Sequence, residues 1–61
     1  MQEKQEDNEG SKLRLEGNKS FKNGDYKGAL ALYTRSLEKQ KTVDAFNNRA
    51  QAYILLKRLK F

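Results

Sequence analysis

The 61-residue chain contains no cysteine and no histidine. The first absence excludes disulfides and thiolate zinc sites. The second removes the commonest metal ligand and general base at neutral pH. Apolar residues are scarce as well, at 36% of the chain with a mean hydropathy of −1.04. No apolar run approaches the ~20 residues of a membrane span. Met1 to Asp7 has no hydrophobic segment and so does not read as a secretory signal. A cytoplasmic, non-membrane protein is therefore expected, without a cofactor. No nucleophile–base pair stands out. Glu16 and Glu38 have no paired carboxylate at a useful spacing and no apolar pocket to shift a pKa. Gly24 and Gly28 follow no strand and precede no Gly-Lys-Ser/Thr, so they form no phosphate loop. Catalysis is not expected.

Charge is plentiful but unevenly placed. Lys4 stands against Glu3, Glu6, Asp7 and Glu9, a net −3 over residues 1–9, which leaves +8 on the rest of a chain whose total is +5. A basic body attracts acidic partners, although Lys-rich helical faces are often simply solvated. Residues 1–10 read as a disordered acidic lead-in, and residues 11–61 as the folded part.

Within that part the spacing predicts three helices. Ser11 is a plausible N-cap for a helix over 11–23, with Leu13, Gly17, Ser20 and Phe21 turned inward. Asn23-Gly24-Asp25 makes a turn, with Gly24 in the left-handed conformation and Asp25 capping a helix over 26–39. There Tyr26, Ala29, Leu30, Tyr33, Ser36 and Leu37 share one face. Lys39 to Thr42 is a second turn. Asp44 reads as a cap for a helix over 43–57, with Val43, Phe46, Ala50, Tyr53 and Ile54 on one face. Tyr26, Tyr33 and Tyr53 are expected in the core. Gly17, Gly28, Ala29 and Ala50 would let helices approach closely. Lys57-Arg58 reads as a third turn, before a missing fourth helix beginning at Leu59.

Gly17 and Ala50 lie 33 residues apart in similar surroundings. A helix–turn–helix unit with a period near 34 is the mark of the tetratricopeptide (TPR) repeat. From Ser11 to Phe61 the sequence resembles that family. Leu13, Gly17, Ala29 and Tyr33 fall at its apolar, small, small and aromatic positions. Ser20 and Ser36 depart from it, and Lys41 stands where a proline usually ends the repeat. The resemblance implies an all-α fold of about one and a half repeats, three antiparallel helices in all.

Gly17-Asn18-x-x-Phe21, with Arg14 three residues before the glycine, is similar to the first repeat of carboxylate-clamp TPR domains. Asn48-Arg49-Ala50-x-x-Tyr53 is similar to the start of their second repeat. Such domains act as co-chaperones, binding the C-terminal peptides of cytosolic heat-shock chaperones of the 70 and 90 kDa classes, which end in Glu-Glu-Val-Asp. By that resemblance Arg14, Asn18 and Asn48 would occupy three of five clamp positions, with Phe21 and Lys22 lining the same groove. Arg14 stands where the family usually has Lys. The remaining two positions belong to a third repeat.

The residues themselves carry a physical case. Arg14 and Asn18 are four apart, hence on one helical face. Arg offers a planar fork to a carboxylate, and an Asn amide donates two hydrogen bonds without adding charge. Taken singly, Arg14 also reads as a solvated cation and the two asparagines as packing or capping groups. Two other readings stay open: a generic TPR scaffold that binds, or self-associates, through apolar surface on the uncovered helix 43–57, and a basic helical module for nucleic acid or anionic lipid. A nucleic-acid role is the less expected, because Lys57-Arg58-x-Lys60 is a short cluster. Repeat arrays need about three units to bury their surface, so the chain reads as a fragment, weakly folded, self-associating or partner-dependent.

Overall fold

The computed structural model describes residues 9–59. Among them are three α-helices and no strand: α1 (Glu9–Lys22), α2 (Tyr26–Lys39) and α3 (Val43–Leu59). Contacts run in opposite sequence order across each pair. Gly10 meets Ser36, Asn18 meets Tyr33, and Phe21 meets Tyr26. α1 and α2 are therefore antiparallel, and α3 folds back against α2 in the same way. α2 is the central element, while α1 and α3 barely touch. The result is an all-α fold that fits one and a half TPR repeats. No described helix is long and apolar enough to cross a membrane.

The first turn is set by Gly24, whose φ of 85° lies in the left-handed region. That conformation lets the Asp25 amide donate to the Ser20 carbonyl at 2.9 Å and the Gly24 amide to Phe21 at 3.0 Å. This is the Schellman arrangement, which satisfies carbonyls that a helix end would otherwise leave open. Asp25 then caps α2 by accepting from the Gly28 amide at 2.9 Å. Phe21 and Tyr26 meet edge to face across the turn, their centroids 5.2 Å apart. Gly28 has a local role, since a β-carbon there would run into the Asp25 carboxylate. Its small size protects the cap and does not bring two helices together.

The second turn corrects the capping expected from sequence. Thr42 caps α3, its hydroxyl accepting from the Ala45 amide at 3.2 Å. Asp44 lies inside the first turn of the helix, where its negative charge favours the positive end of the macrodipole.

The start of α1 also differs from expectation. The helix begins at Glu9, so Ser11 is internal to it and Gly10 is buried. The buried Ser36 hydroxyl donates to the Gly10 carbonyl at 2.7 Å, which anchors this extra turn against the end of α2. Residues 1–8 of the expected disordered lead-in lie outside the described residues.

At the other end α3 runs through Lys57-Arg58 to Leu59 without a turn. Neither residue breaks a helix, and both favour its negative C-terminal end. Lys57 also holds its ammonium over the Tyr53 ring, 5.7 Å from the centroid. The expected start of a fourth helix continues into residues 60–61, outside the described residues.

The core is small: Ala29, Tyr33 and Ala52, with Phe21 and Leu30 packed against them and Leu37 buried nearby. α2 presents the face expected from its spacing. α3 contributes only its small residues Ala45 and Ala52. Val43, Phe46, Ala50, Tyr53 and Ile54 do share a face, but that face is exposed. Tyr53, expected in the core, is 53% exposed, because neither α1 nor α2 covers its face of α3. Ala50, on the same face, brings no helix close.

At Gly17 the absence of a side chain decides the packing. A β-carbon there would sit 2.6 Å from Tyr33 Cε1 and 2.7 Å from Cδ1. Tyr33 is 1% exposed and cannot swing into solvent. Gly17→Ala should therefore destabilise the fold by ~1–2 kcal/mol, even though alanine gains ~1 kcal/mol of helix propensity over glycine. Thermal unfolding followed by circular dichroism would show a Tm about 5–10 °C lower. Asp25→Ala should cost ~1 kcal/mol through the lost cap. Gly28→Ala should destabilise the native chain by displacing the Asp25 carboxylate, yet stabilise the Asp25→Ala chain through helix propensity. A double-mutant cycle with no such change of sign would show that the carboxylate and Gly28 are not coupled.

Candidate functional site

α1 and α3 come together at a pair of asparagines. Asn18 lies one residue after the glycine that admits Tyr33, and Asn48 lies on the side of α3 facing α1. Tyr33 donates its hydroxyl proton to Asn18 Oδ1 at 2.6 Å, and Asn48 Nδ2 donates to the same oxygen at 3.2 Å. One carbonyl oxygen thus gathers a side chain from each of the three helices. Residues 30 positions apart in sequence become direct partners.

Around this pair is an open cleft of about 390 Å³ lined by Asn18, Lys19, Phe21, Lys22, Tyr33, Asn48 and Gln51. The cleft walls carry two lysines, amide groups and an aromatic ring, and no carboxylate. Asn18 Oδ1 is occupied by its two donors, and its Nδ2 makes no hydrogen bond to any described residue. The arrangement offers hydrogen-bond donors and positive charge beside an apolar wall. That donor set suits an acceptor-only group such as a carboxylate.

Of the five residues singled out in the sequence, Asn18, Asn48, Phe21 and Lys22 share this cleft. Arg14 does not line it. It borders a smaller polar cavity of about 220 Å³ with Gly10, Ser11, Ser36, Gln40, Thr42 and Asp44. Arg14 still acts electrostatically on Tyr33. Burial pushes the Tyr33 phenol above its ordinary pKa, and the Arg14 guanidinium pulls it partly back. Lys19 and Gln51 belong to the cleft and were not anticipated. Lys19 follows Asn18 directly, and Gln51 is one turn below Asn48 on α3. A helical wheel drawn around Asn48 places Gln51 on the same face, whereas Lys19 is offset around the helix from Asn18 and is brought to the cleft only by the geometry.

A second cavity, about 550 Å³, lies between α2 and α3 and is lined by Leu30, Thr34, Phe46, Arg49, Ala50 and Tyr53. It is the more apolar of the two faces. Arg49 lies over the Phe46 ring, 5.8 Å from the centroid, so part of its rim is cationic. Among the described residues no group of three or more His, Cys, Asp or Glu is arranged to hold a metal ion.

Comparison with known proteins gives relatives but no family assignment. No family model matches the chain, and no solved structure matches it. Over 56 residues, 92% of its length, the chain is 45% identical to sperm-associated antigen 1 of Homo sapiens. Over 42 residues, 69% of its length, it is 55% identical to the protein of the same name in Rattus norvegicus and in Mus musculus. These relatives are far longer. The matched region spans 6% of the human protein and 5% of each rodent protein, so a unit similar to this chain is a small part of each.

Proposed function

We propose that this chain is a non-catalytic protein-interaction module whose α1–α3 cleft takes the acidic C-terminal end of a partner polypeptide. By the resemblance of Gly17-Asn18-x-x-Phe21 and Asn48-Arg49-Ala50 to the co-chaperone class of TPR domains, that partner is a cytosolic heat-shock chaperone ending in Glu-Glu-Val-Asp. The observation that carries the reading is the joining of Asn18 and Asn48 on one oxygen, inside a cleft walled by Lys19 and Lys22 and free of carboxylates. The asparagines would donate to the terminal carboxylates. The lysines would attract the acidic tail, and Phe21 would support its apolar side chain.

The cleft has few anchoring groups. Hydrogen bonds to charged groups contribute ~1.5–3 kcal/mol each. With two asparagines and exposed lysines, a Kd on the order of 0.1–1 mM is expected, roughly 4–5.5 kcal/mol of binding free energy.

A second reading rests on the larger cavity between α2 and α3. Leu30, Phe46, Ala50 and Tyr53 give it an apolar lining. It would dock a protein surface, or a second copy of the chain, with no preference for a free terminal carboxylate.

Amide nitrogen–proton NMR titration with a peptide ending in Glu-Glu-Val-Asp separates the readings. The first expects shifts at Asn18, Lys19, Lys22, Asn48 and Gln51, lost when the peptide's C-terminus is amidated. Asn18→Ala should weaken binding about tenfold or more without loss of helicity, and Arg14→Ala should also weaken it. Binding that survives amidation, with shifts at Phe46 and Tyr53 and little salt dependence, would favour the apolar reading. Steep loss with salt for any polyanion would point to a general electrostatic surface.

A further inference from the structure

We infer that Tyr33 is a positioning residue for the cleft: its buried hydroxyl holds the Asn18 amide with the oxygen inward and the nitrogen outward. The inference rests on the proposed reading of the cleft as a carboxylate site.

The two branches of an asparagine amide are nearly identical in shape but opposite in hydrogen bonding. A carboxylate only accepts. Asn18 can serve it with the nitrogen outward and would repel it with the oxygen outward. Whatever lies behind the amide therefore decides whether the cleft can read a carboxylate at all. Behind it is Tyr33, 1% exposed, at 2.6 Å from Asn18 Oδ1, with Asn48 Nδ2 on the same oxygen at 3.2 Å.

A hydroxyl both donates and accepts, and the Asn48 amide could turn over together with that of Asn18. The structure joins the three groups in one sense: the Tyr33 hydroxyl and Asn48 Nδ2 both donate to Asn18 Oδ1. Turning the Asn18 amide over requires the phenol proton and the Asn48 amide to reverse with it, so the buried hydroxyl opposes the turn and keeps the amide nitrogen at the ligand end.

Tyr33→Phe tests this, because it removes one oxygen and keeps the ring that fills the space at Gly17. The variant should keep its helicity and lose affinity for the Glu-Glu-Val-Asp peptide about 3- to 10-fold. Its preference for the free acid over the amidated peptide should shrink toward unity. A merely structural loss would weaken both peptides equally and leave that ratio unchanged. A second readout needs no ligand. In the native chain the Asn18 Nδ2 protons should give no strong nuclear Overhauser contact to the Tyr33 ring, whereas in Tyr33→Phe such contacts should emerge as the amide turns over. Strong contacts in the native chain, or an unchanged free-acid preference in Tyr33→Phe, would overturn the inference. A native chain that binds neither peptide yet shows the Asn18 nitrogen facing outward would sink the carboxylate reading and leave the positioning by Tyr33 standing.

Discussion

The contact between the Tyr33 ring and the bare backbone at Gly17 is the constraint on which this molecule turns. The Tyr33 ring is the largest fully buried apolar group in the core. Burying one such side chain contributes ~1.5–3 kcal/mol, a large share of the stability of a chain this short. The ring can lie against α1 only because residue 17 has no β-carbon. The same close approach carries the hydroxyl to Asn18, one residue further along α1, and Asn18 in turn meets Asn48 on α3. Packing and the proposed recognition are therefore not separable here. The residue that joins α1 to α2 also orients the group that would meet a ligand, and that group bridges α1 to a helix it otherwise barely touches.

α3 has a different character. It is held by Ala45 and Ala52, whose small side chains let it lie close to α2 but contribute little buried area. Its large apolar side chains point elsewhere: Val43 is 73% exposed, Ile54 56% and Phe46 45%. That distribution is what repeat architectures produce, since each unit buries its faces only against neighbouring units. The cations over Phe46 and Tyr53 partly shield these rings, and an exposed cation–π contact is worth only ~0.5–1 kcal/mol. One face of α3 is therefore left exposed, and the Asn18–Asn48 bond is one of the few polar ties that restrain the helix.

Much of this was legible in the sequence. The 3.6-residue period of α2 assigned Ala29, Tyr33, Ser36 and Leu37 to the interior correctly, because a helix packed on two sides leaves a clear pattern. Gly24 and Asp25 marked the first turn through backbone requirements that few other residues meet. The α3 pattern identified a real apolar face, but periodicity says only that residues share a face, not whether anything covers it. Tyr53 was misplaced for that reason. Ser11 and Asp44 looked like caps because both are capping residue types near a boundary. The true start of α1 was set by a tertiary contact, Ser36 reaching back to Gly10, and that of α3 by a different local residue, Thr42, whose hydroxyl accepts from the Ala45 amide. A hydrogen bond spanning 26 residues has no local signature. The two asparagines were singled out by resemblance, Gln51 shares the face of Asn48, and Lys19 needed the geometry.

On the proposed reading the cleft would divide two tasks that one residue type could not perform together. Lys19 and Lys22 are exposed, so their attraction for an acidic chain extends over a Debye length of ~8–10 Å and weakens with salt. Such charges gather ligands without choosing among them. Asn18 and Asn48 are half-buried and neutral. They add nothing at long range, but their donors have direction, and direction distinguishes a terminal carboxylate from an amide. That direction persists only if the amides are held from behind. A surface asparagine rotates freely, and its donors are as well satisfied by water as by a ligand. Held by a buried phenol, it would be oriented before a ligand arrives, and less of the binding free energy would be consumed in ordering it. The cost falls on the core, which must accommodate a polar hydroxyl where phenylalanine would pack as well. A buried tyrosine whose proton is directed at a cleft asparagine is more readily understood as part of that cleft than as packing alone.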